Sequence, residues 1–418
     1  MSWPVVKLGD ICNLFNGYAF KSGDYVESSN TLSCRMSNIR PGGEFDIDYN
    51  ARYLPDDFAE KHGAFLLKDG DVIIAMTDLA GSPKILGVPT VVSSGGRSIL
   101  LNQRVGKLEI LDSDKVYFPY LRYALSDPKV RSIYKKFAGG GLQINLGKDD
   151  LLSVQIPLPP LETQKQIAAV LEKADQLRKD CKLLEQELNS LAQSVFIDMF
   201  GDPLINPKGW QPRTLNEFYA SPKTGTKCGP FGSALKKEEF VDSGIPVWNM
   251  SNISLTGEFI DSPTLWITED KYKQLESYDV LQGDVIISRA GTVGKMGVVS
   301  SEYDRSIIST NLIRVRFGDD LLPLYFVCLM TYCKTRLKRL KVGDDGSFSH
   351  MNTGILDNIE FPYPPMKEQL KYMKFRENLD LQLGNLNQLK GEHESSFNSL
   401  MQKAFKGELN LNEIEKEG

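Results

Sequence analysis

The chain has 418 residues, of which 41% are hydrophobic and 25% charged, with a net charge of -5 and a pI near 5.5. These values are typical of a soluble protein with two or three domains, and no apolar run approaches the roughly 18 residues that a membrane-spanning helix needs. The first residues lack the basic and apolar regions of a signal peptide, so we expect a cytoplasmic protein without a membrane partner.

The first half of the sequence recurs in its second half. Matching segments follow the same order at an offset of about 205–214 residues. They are Arg35–Ile39 with Asn249–Ile253, Gly43–Phe45 with Gly257–Phe259, Leu67–Ile74 with Leu281–Ile287, and Val154–Gln164 with Ile359–Gln369. Solenoid repeats are only about 20–50 residues long. The pattern therefore predicts two modules, each with its own core.

Within each module the elements follow one another in the same order. Buried strands are predicted after the turns at Gly70–Ile74 and Gly283–Ile287, and further strands at Gly87–Pro89 and Gly297–Val299. Helices are predicted at Phe118–Lys136 and Leu322–Lys341, glycine-rich loops at Gly139–Asn145 and Gly343–His350, and last strands at Ile156–Pro160 and Phe361–Pro365. Strands and helices without regular alternation indicate an α+β fold.

A long helix is predicted after each module, at Thr163–Phe200 and at about Met366–Phe405. The apolar positions of the first helix have steps of three and four: Val170, Ala174, Leu177, Cys181, Leu184, Leu188, Leu191 and Val195. Those of the second are Phe375, Leu379, Leu383, Leu386, Leu389, Phe397 and Leu400, with Gly384 and Gly391 weakening the helix. We expect the two helices to pair as an antiparallel coiled coil; the alternative is that each helix packs on its own module.

Changes of composition define the expected boundaries. The first globular domain covers residues 1–158 and its helix 159–200. The second globular domain covers 201–362, its helix 363–410 and a tail 411–418.

No catalytic or metal-binding signature is apparent. The segment Gly291–Met296 is too short for a phosphate loop and lacks its Ser or Thr, and neither HExxH nor GxSxG nor a methyltransferase Asn/Asp-Pro-Pro-aromatic tetrad occurs. Six cysteines and three histidines show no zinc-ligand spacing, so we expect reduced, mostly buried thiols and no metal. The pattern favours a binding protein over an enzyme.

Basic segments precede the glycine-rich loops of both modules, which favours contact with nucleic-acid phosphates over a merely solvated helix face. The loops add amides and hydroxyls that suit base edges, and basic residues also follow an aromatic-glycine element in each module. The candidate contacts in the first module are Lys21, Ser22, Lys129, Arg131, Lys135, Lys136, Gln143 and Asn145. Those in the second are Ser233, Lys236, Lys237, Arg289, Lys334, Arg336, Lys338, Arg339, Ser347 and Ser349. Arg35, Asn38, Asn249 and Asn252 are weaker candidates, because Ser-Asn-Ile also suits a structural turn.

Several of these elements together resemble the specificity subunits of type I restriction–modification enzymes. The resemblance covers Trp3 to about Leu409 and rests on four elements. They are Trp3–Leu8, the aromatic-glycine elements Phe15–Ser22 and Gly229–Ser233, the strands Gly70–Ile74 and Gly283–Ile287, and the proline-rich joints Ile156–Gln164 and Phe361–Gln369.

The resemblance implies that each globular domain is a target-recognition domain for one half of a split site in double-stranded DNA. It implies that the helices are spacers that dock methyltransferase subunits, two of them, and that restriction subunits join for cleavage. The chain itself would bind no cofactor and catalyse no reaction. S-adenosylmethionine would be bound by the methyltransferase, and ATP and Mg by the nuclease.

Three alternatives remain open from the sequence. The chain could serve a partner in which methyltransferase and nuclease are fused. It could be an enzyme acting alone, which the missing motifs disfavour. It could be a coiled-coil scaffold for two protein-binding domains that has no affinity for DNA.

Overall fold

The structure, a computed structural model, describes residues 3–137, 141–231, 234–289, 294–341 and 351–411, without the side chains of residues 137 and 334–341. The chain divides into two compact units. Unit 1 comprises Met1–Cys181 and Gln388–Gly418, and unit 2 comprises Lys182–Asn387. Each unit thus contains one globular module and parts of both long helices.

Unit 1 begins with short strands that form its sheets. The strands are β1 (Val5–Lys7), β2 (Cys12–Asn16), β3 (Thr31–Cys34), β4 (Tyr53–Leu54), β5 (Leu66–Leu67), β6 (Val72–Ala75), β7 (Thr77–Leu79), β8 (Pro89–Val91), β9 (Ser98–Leu101), β10 (Val105–Ile110), β11 (Gln143–Asn145) and β12 (Gln155–Pro157). Its helices are α1 (Phe58–Lys61), α2 (Phe118–Ser126), α3 (Pro128–Phe137), α4 (Lys148–Ser153), the first part of α5 (Leu161–Phe200) and the last part of α9 (Met366–Lys406).

Unit 2 repeats much of this order. Its strands are β13 (Pro212–Thr214), β14 (Thr226–Cys228), β15 (Ile245–Trp248), β16 (Trp266–Ile267), β17 (Val285–Ser288), β18 (Met296–Val298), β19 (Ile307–Ile308), β20 (Leu312–Val315) and β21 (Glu360–Pro362). Its helices are the last part of α5, α6 (Glu269–Leu275), α7 (Pro323–Lys341), α8 (Thr353–Asp357) and the first part of α9.

The sheets of the two units have corresponding topologies. The four-stranded order β2-β10-β6-β8 corresponds to β14-β20-β17-β18, and the pair β1-β12 corresponds to β13-β21. Another sheet in each unit contains a parallel pair, β3 with β9 or β15 with β19; the pair is central in the first unit, whereas β19 is an edge strand in the second. All four residues of β6 and of β17 are buried, as expected of central strands. The predicted repeat and the α+β class are confirmed.

The two long helices pair antiparallel, as predicted. In unit 1, Ile167, Ala168 and Leu171 share a core cluster with Phe397 and Met401. In unit 2, Ala192 of α5 packs with Leu379 and Leu383 of α9. The start of α5 thus meets the end of α9, and the end of α5 meets the start of α9. Gly384 and Gly391 do not interrupt α9, which is continuous from Met366 to Lys406.

Three of the eight predicted seam positions of α5 are wrong. Ala174, Cys181, Leu188 and Val195 pack into cores. The other leucines point outward, and the seam uses positions one residue later. The exposed residues are Leu177 (43%), Leu184 (45%) and Leu191 (46%).

Arg178 shows why leucine spacing gave the wrong phase of the seam. Its Nε donates to the carboxylate of Glu394 at 2.8 Å, and its guanidinium lies 4.2 Å from the centre of the Phe397 ring. The aliphatic part of a charged side chain thus covers apolar surface of the seam, while its guanidinium forms an ion pair beside the seam. A search for apolar residues does not detect such a position.

The helix predicted at Phe118–Lys136 is two helices, α2 and α3. Asp127 separates them with φ -55° and ψ 129°. The ring of Pro128 disfavours helical geometry at the residue before it, and proline is tolerated in a first helical turn. The helix predicted at Leu322–Lys341 is continuous as α7.

All six cysteines are free, and five of them are buried. Among the helices of the described ranges, none has the length and apolar composition needed to cross a membrane. In the same ranges, no three His, Cys, Asp or Glu side chains cluster in a way that could hold a metal ion.

Candidate nucleic-acid interface

The basic segment of the first module lies on α3, which has one buried and one exposed side. Val130 and Tyr134 face the core, whereas Lys129, Lys135 and Lys136 are exposed. Tyr134 packs against Gly87, whose φ is +67° and where a Cβ would overlap the tyrosine ring. The glycine therefore allows the helix to pack closely enough to present its lysines to solvent.

Arg131, on the same helix, already has a protein partner. Its Nη2 donates to the carbonyl oxygen of Lys84 at 2.6 Å, so it ties α3 to the loop before β8. Burial lowers the pKa of Arg131, and the charge of Asp78 opposes that shift. Its contact with nucleic acid stays a prediction.

The glycine-rich loop of the first module is shorter than predicted. Gln143 and Asn145 lie in β11, which pairs antiparallel with β7. Thr77 Oγ1 donates to Asn145 Oδ1 at 2.8 Å across 68 residues. Asn145 is exposed, Gln143 is half-buried and the preceding Leu142 is 93% exposed. Because the pairing strand is so distant in sequence, the local glycine content could not reveal β11.

Lys21 and Ser22 lie in an exposed turn beside a cluster of aromatic rings. The main-chain N–H of Lys21 donates to Asp24 at 2.6 Å, which leaves its side chain exposed. Tyr18, 38% exposed, lies 4.4 Å from the imidazole of His62 between ring centres. An exposed cation thus lies three residues along the chain from an exposed aromatic ring, and both groups suit nucleic acid.

A glycine explains the aromatic-glycine element in both modules. A Cβ at Gly17 would overlap the main chain of Asn102, and one at Gly229 would overlap the carbonyl of Ser309. Each glycine thus lets its segment cross closely over the strand end beside it.

In the second module, Lys236 and Lys237 are exposed at a short turn closed by Glu239. Arg289 follows β17, and its guanidinium lies 4.5 Å from the centre of the Phe231 ring. Phe231 is 56% exposed, and the sequence did not identify it as a contact. Its position after Gly229 and Pro230, within the recurring element, was the available signal.

The side chains of seven candidates lie outside the described part of the structure. Ser233, Ser347 and Ser349 lie outside the described residues. Lys334, Arg336, Lys338 and Arg339 belong to α7, but their side chains lie outside the described part.

The Ser-Asn-Ile segments form structural turns. Asn38 is 2% exposed, and its Nδ2 donates to the carbonyls of Asp46, Ile47 and Tyr49. Asn252 is fully buried and donates to two carbonyls in the same way. Their hydrogen bonds are used within the protein, which supports the structural alternative for these weaker candidates.

Sequence reasoning gave no role to a pair of buried glutamines at the joints. Gln164 and Gln369, near the starts of α5 and α9, are both fully buried. Gln164 Oε1 accepts from Tyr117 N at 2.9 Å, and Gln369 Oε1 accepts from Leu322 N at 3.0 Å. Their recurrence in both joints was the signal that could have identified them.

A family model for the type I restriction modification DNA specificity domain matches residues 1–192 and again residues 207–392. The two matches together cover most of the chain. The chain belongs to this family. It is a specificity subunit, built from two copies of the family's domain.

Relatives of this specificity subunit carry the same description. The EcoBI specificity subunit of Escherichia coli is 21% identical over 441 residues, covering 98% of this chain and 86% of that protein. The MjaVIII specificity subunit of Methanocaldococcus jannaschii is 30% identical over 191 residues, covering 44% of this chain and only 43% of that protein. The crystal structure of the S subunit from M. genitalium is 17% identical with a TM-score of 0.55, covering 97% and 96% of the two chains. The last comparison shows a shared fold.

Proposed function

We propose that this specificity subunit recognises a split site in double-stranded DNA, with one half-site for each module. The observation that carries the proposal is that one fold, with one joint and one helix, occurs twice while the surface loops differ. Two similar scaffolds with different surfaces suit two half-sites of different sequence.

The exposed cations and amides described above are the proposed contacts. Lys129, Lys135 and Lys136 of the first module suit phosphates, because they are exposed and lie on one helix. Arg289 suits a base edge, because stacking on Phe231 holds its guanidinium plane.

We further propose that the chain is non-catalytic and directs partner subunits to the site. Two methyltransferase subunits would bind S-adenosylmethionine and methylate adenine. Restriction subunits, with ATP and Mg, would cleave. The lack of catalytic motifs in the sequence and the presence of two modules support this division of labour.

Exposed leucines on the long helices support a protein partner. In unit 2, Leu183 (54%), Leu184 and Leu191 of α5 and Leu381 (66%) of α9 are exposed. Single exposed leucines are ordinary, but a group of them on paired helices forms the kind of apolar patch that marks a protein interface. We propose that a methyltransferase subunit covers them, and that Leu184→Asp and Leu191→Asp reduce its co-purification with this chain.

The decisive experiment is to map methylated adenines genome-wide in cells with and without this gene. We expect one motif, with two defined halves separated by a constant number of undefined bases, to disappear with the gene. Survival of every motif, or loss of an unsplit motif, would contradict the proposal.

A further inference from the structure

The joint of the first module is closed by one buried side chain that bridges three segments. Gln164 Nε2 donates to the carbonyls of Lys115 and Pro159, each at 2.8 Å, while Oε1 accepts from Tyr117 N. Lys115 and Tyr117 precede α2 of the globular module, and Pro159 lies just before α5. A single amide thus fixes the module, the proline-rich joint and the helix to one another.

The second joint repeats two of these three hydrogen bonds. The glutamine follows its main-chain donor by 47 residues in both copies, and it donates to a proline carbonyl five residues earlier in both. A buried tyrosine adds a further hydrogen bond in each joint. Tyr120 Oη donates to Pro157 O at 2.7 Å, and Tyr325 Oη donates to Pro362 O at 3.3 Å. Burial raises the pKa of both tyrosines, so their hydroxyls stay protonated as donors.

These bonds restrict the angle between each module and its helix. Buried polar groups that lose a partner destabilise the arrangement that buries them, so the satisfied joint favours one geometry. A helix of 40 residues is about 60 Å long. A tilt of about 3° at its base therefore moves its far end by about 3 Å, close to the 3.4 Å rise of one DNA base pair.

We propose that Gln164 and Gln369 are positioning residues that set the number of base pairs permitted between the two half-sites. The inference rests on the proposed function, since it needs a split site. It adds a determinant of spacing that lies in the joints and is separate from the length of the helix and from the residues that contact bases.

The test uses the full chain assembled with its methyltransferase partner and DNA duplexes that carry the mapped site. The duplexes have the native gap, or a gap one base pair shorter or longer. For the unchanged chain we expect methylation mainly at the native gap. For Gln164→Leu and Gln369→Leu we expect the ratio of methylation rates, native over altered gap, to fall at least about tenfold. The half-site bases required should stay the same.

Matched controls separate positioning from general damage. Gln193→Leu and Gln402→Leu change exposed glutamines of the same two helices and should leave the ratio unchanged. Tyr120→Phe and Tyr325→Phe remove only a hydroxyl and should lower the ratio in the same sense but less. They keep the test available if a leucine variant does not fold.

Three results would overturn the inference. One is an equal loss of methylation at every gap in the glutamine variants, which indicates a merely structural role. Another is an unchanged ratio in variants that fold and assemble. The third is a lower ratio in the exposed-glutamine controls. If the unchanged complex methylates no split site at all, the proposed function itself fails, which is a different outcome from all three.

Discussion

The central sheets of the two modules have one topology but different chemistry at equivalent positions. Lys107 of β10 lies opposite Ile73, and Arg314 of β20 lies opposite Ile286. Lys107 is partly exposed and contacts Asp71 at 3.2 Å and Glu109 at 3.6 Å. Arg314 is only 2% exposed. The same place in the fold is therefore a surface ion pair in one module and a buried network in the other.

The buried network of the second module joins two arginines and two aspartates. Arg314 Nη1 donates to Asp279 Oδ1 at 2.7 Å, and its Nη2 donates to the carbonyl of Thr224 at 2.9 Å. Arg316 makes two bonds to Asp284, at 2.8 and 2.7 Å. Burial lowers the pKa of Arg314, whereas the hydrogen bonds that Arg316 donates to Asp284 raise the pKa of Arg316.

The comparison shows which parts of the repeat can diverge. Asp71 and Asp284 both accept a main-chain N–H three residues earlier, at 2.8 Å, so the turn before the central strand is shared. The charges around that turn are not shared. The joints, by contrast, share two hydrogen bonds of the glutamine and the tyrosine bond to a proline carbonyl. Divergence within the modules and constancy at the joints is the pattern expected if the modules recognise different sequences on a common frame.

The largest expected effect comes from removing the buried arginine. Arg314→Met should destabilise the second module by about 3 kcal/mol, because it removes the hydrogen bonds of a buried guanidinium to Asp279 and to the carbonyl of Thr224. Lys107→Met should cost about 1 kcal/mol, since the Lys107 side chain is more exposed than that of Arg314. Hydrogen exchange of Val285–Ser288 and of Val72–Ala75 under increasing urea measures each module separately. Equal losses of stability in the two modules would show that Lys107 and Arg314 do not differ in their contribution.

A second difference lies in where basic side chains point, since the first module exposes its lysines on α3. The triple change of Lys129, Lys135 and Lys136 to Ala should lower the slope of log affinity against log salt by about 2 to 3 and weaken binding by about tenfold. Fluorescence anisotropy of the assembled complex with its DNA site at several salt concentrations measures this. Arg131→Ala is the matched comparison and should act mainly through the loop at Lys84. An unchanged slope of log affinity against log salt in the triple variant would show that α3 does not contact the DNA phosphates.

The smallest expected effect concerns a contact that the two modules share. Trp3 Nε1 donates to Ala404 O at 2.8 Å, and Trp210 Nε1 donates to Phe200 O at 3.1 Å. Each bond adds a partner for a carbonyl in the last turn of a long helix, where main-chain partners are scarce; the carbonyl of Ala404 also accepts from Gly407 N at 3.2 Å. Trp3→Phe and Trp210→Phe should each cost about 1 kcal/mol, measured by exchange in the last turns of α9 and α5. Losses of stability that differ by more than about twofold would show that the two helix ends are not equivalent.

The repeat and the long helices could be predicted because their signals are local and occur twice. The seam of α5 could be predicted only in part, since Arg178 and Ala192 contribute to it where leucine spacing points to Leu177 and Leu191. The strand β11 was missed because its partner is distant in sequence. The role of Gln164 was missed because its three partners come together only after the module folds. The residues that contact DNA stay predictions.

Exchange of one module is the most direct test of whether each module recognises its own half-site. Residues 1–158 are replaced by the corresponding region of a related specificity subunit, and methylated adenines are mapped in cells that express the hybrid. If each module recognises one half-site, one half of the methylated motif changes to that of the donor, while the other half and the gap stay as before. A change in both halves, or in neither, would contradict it.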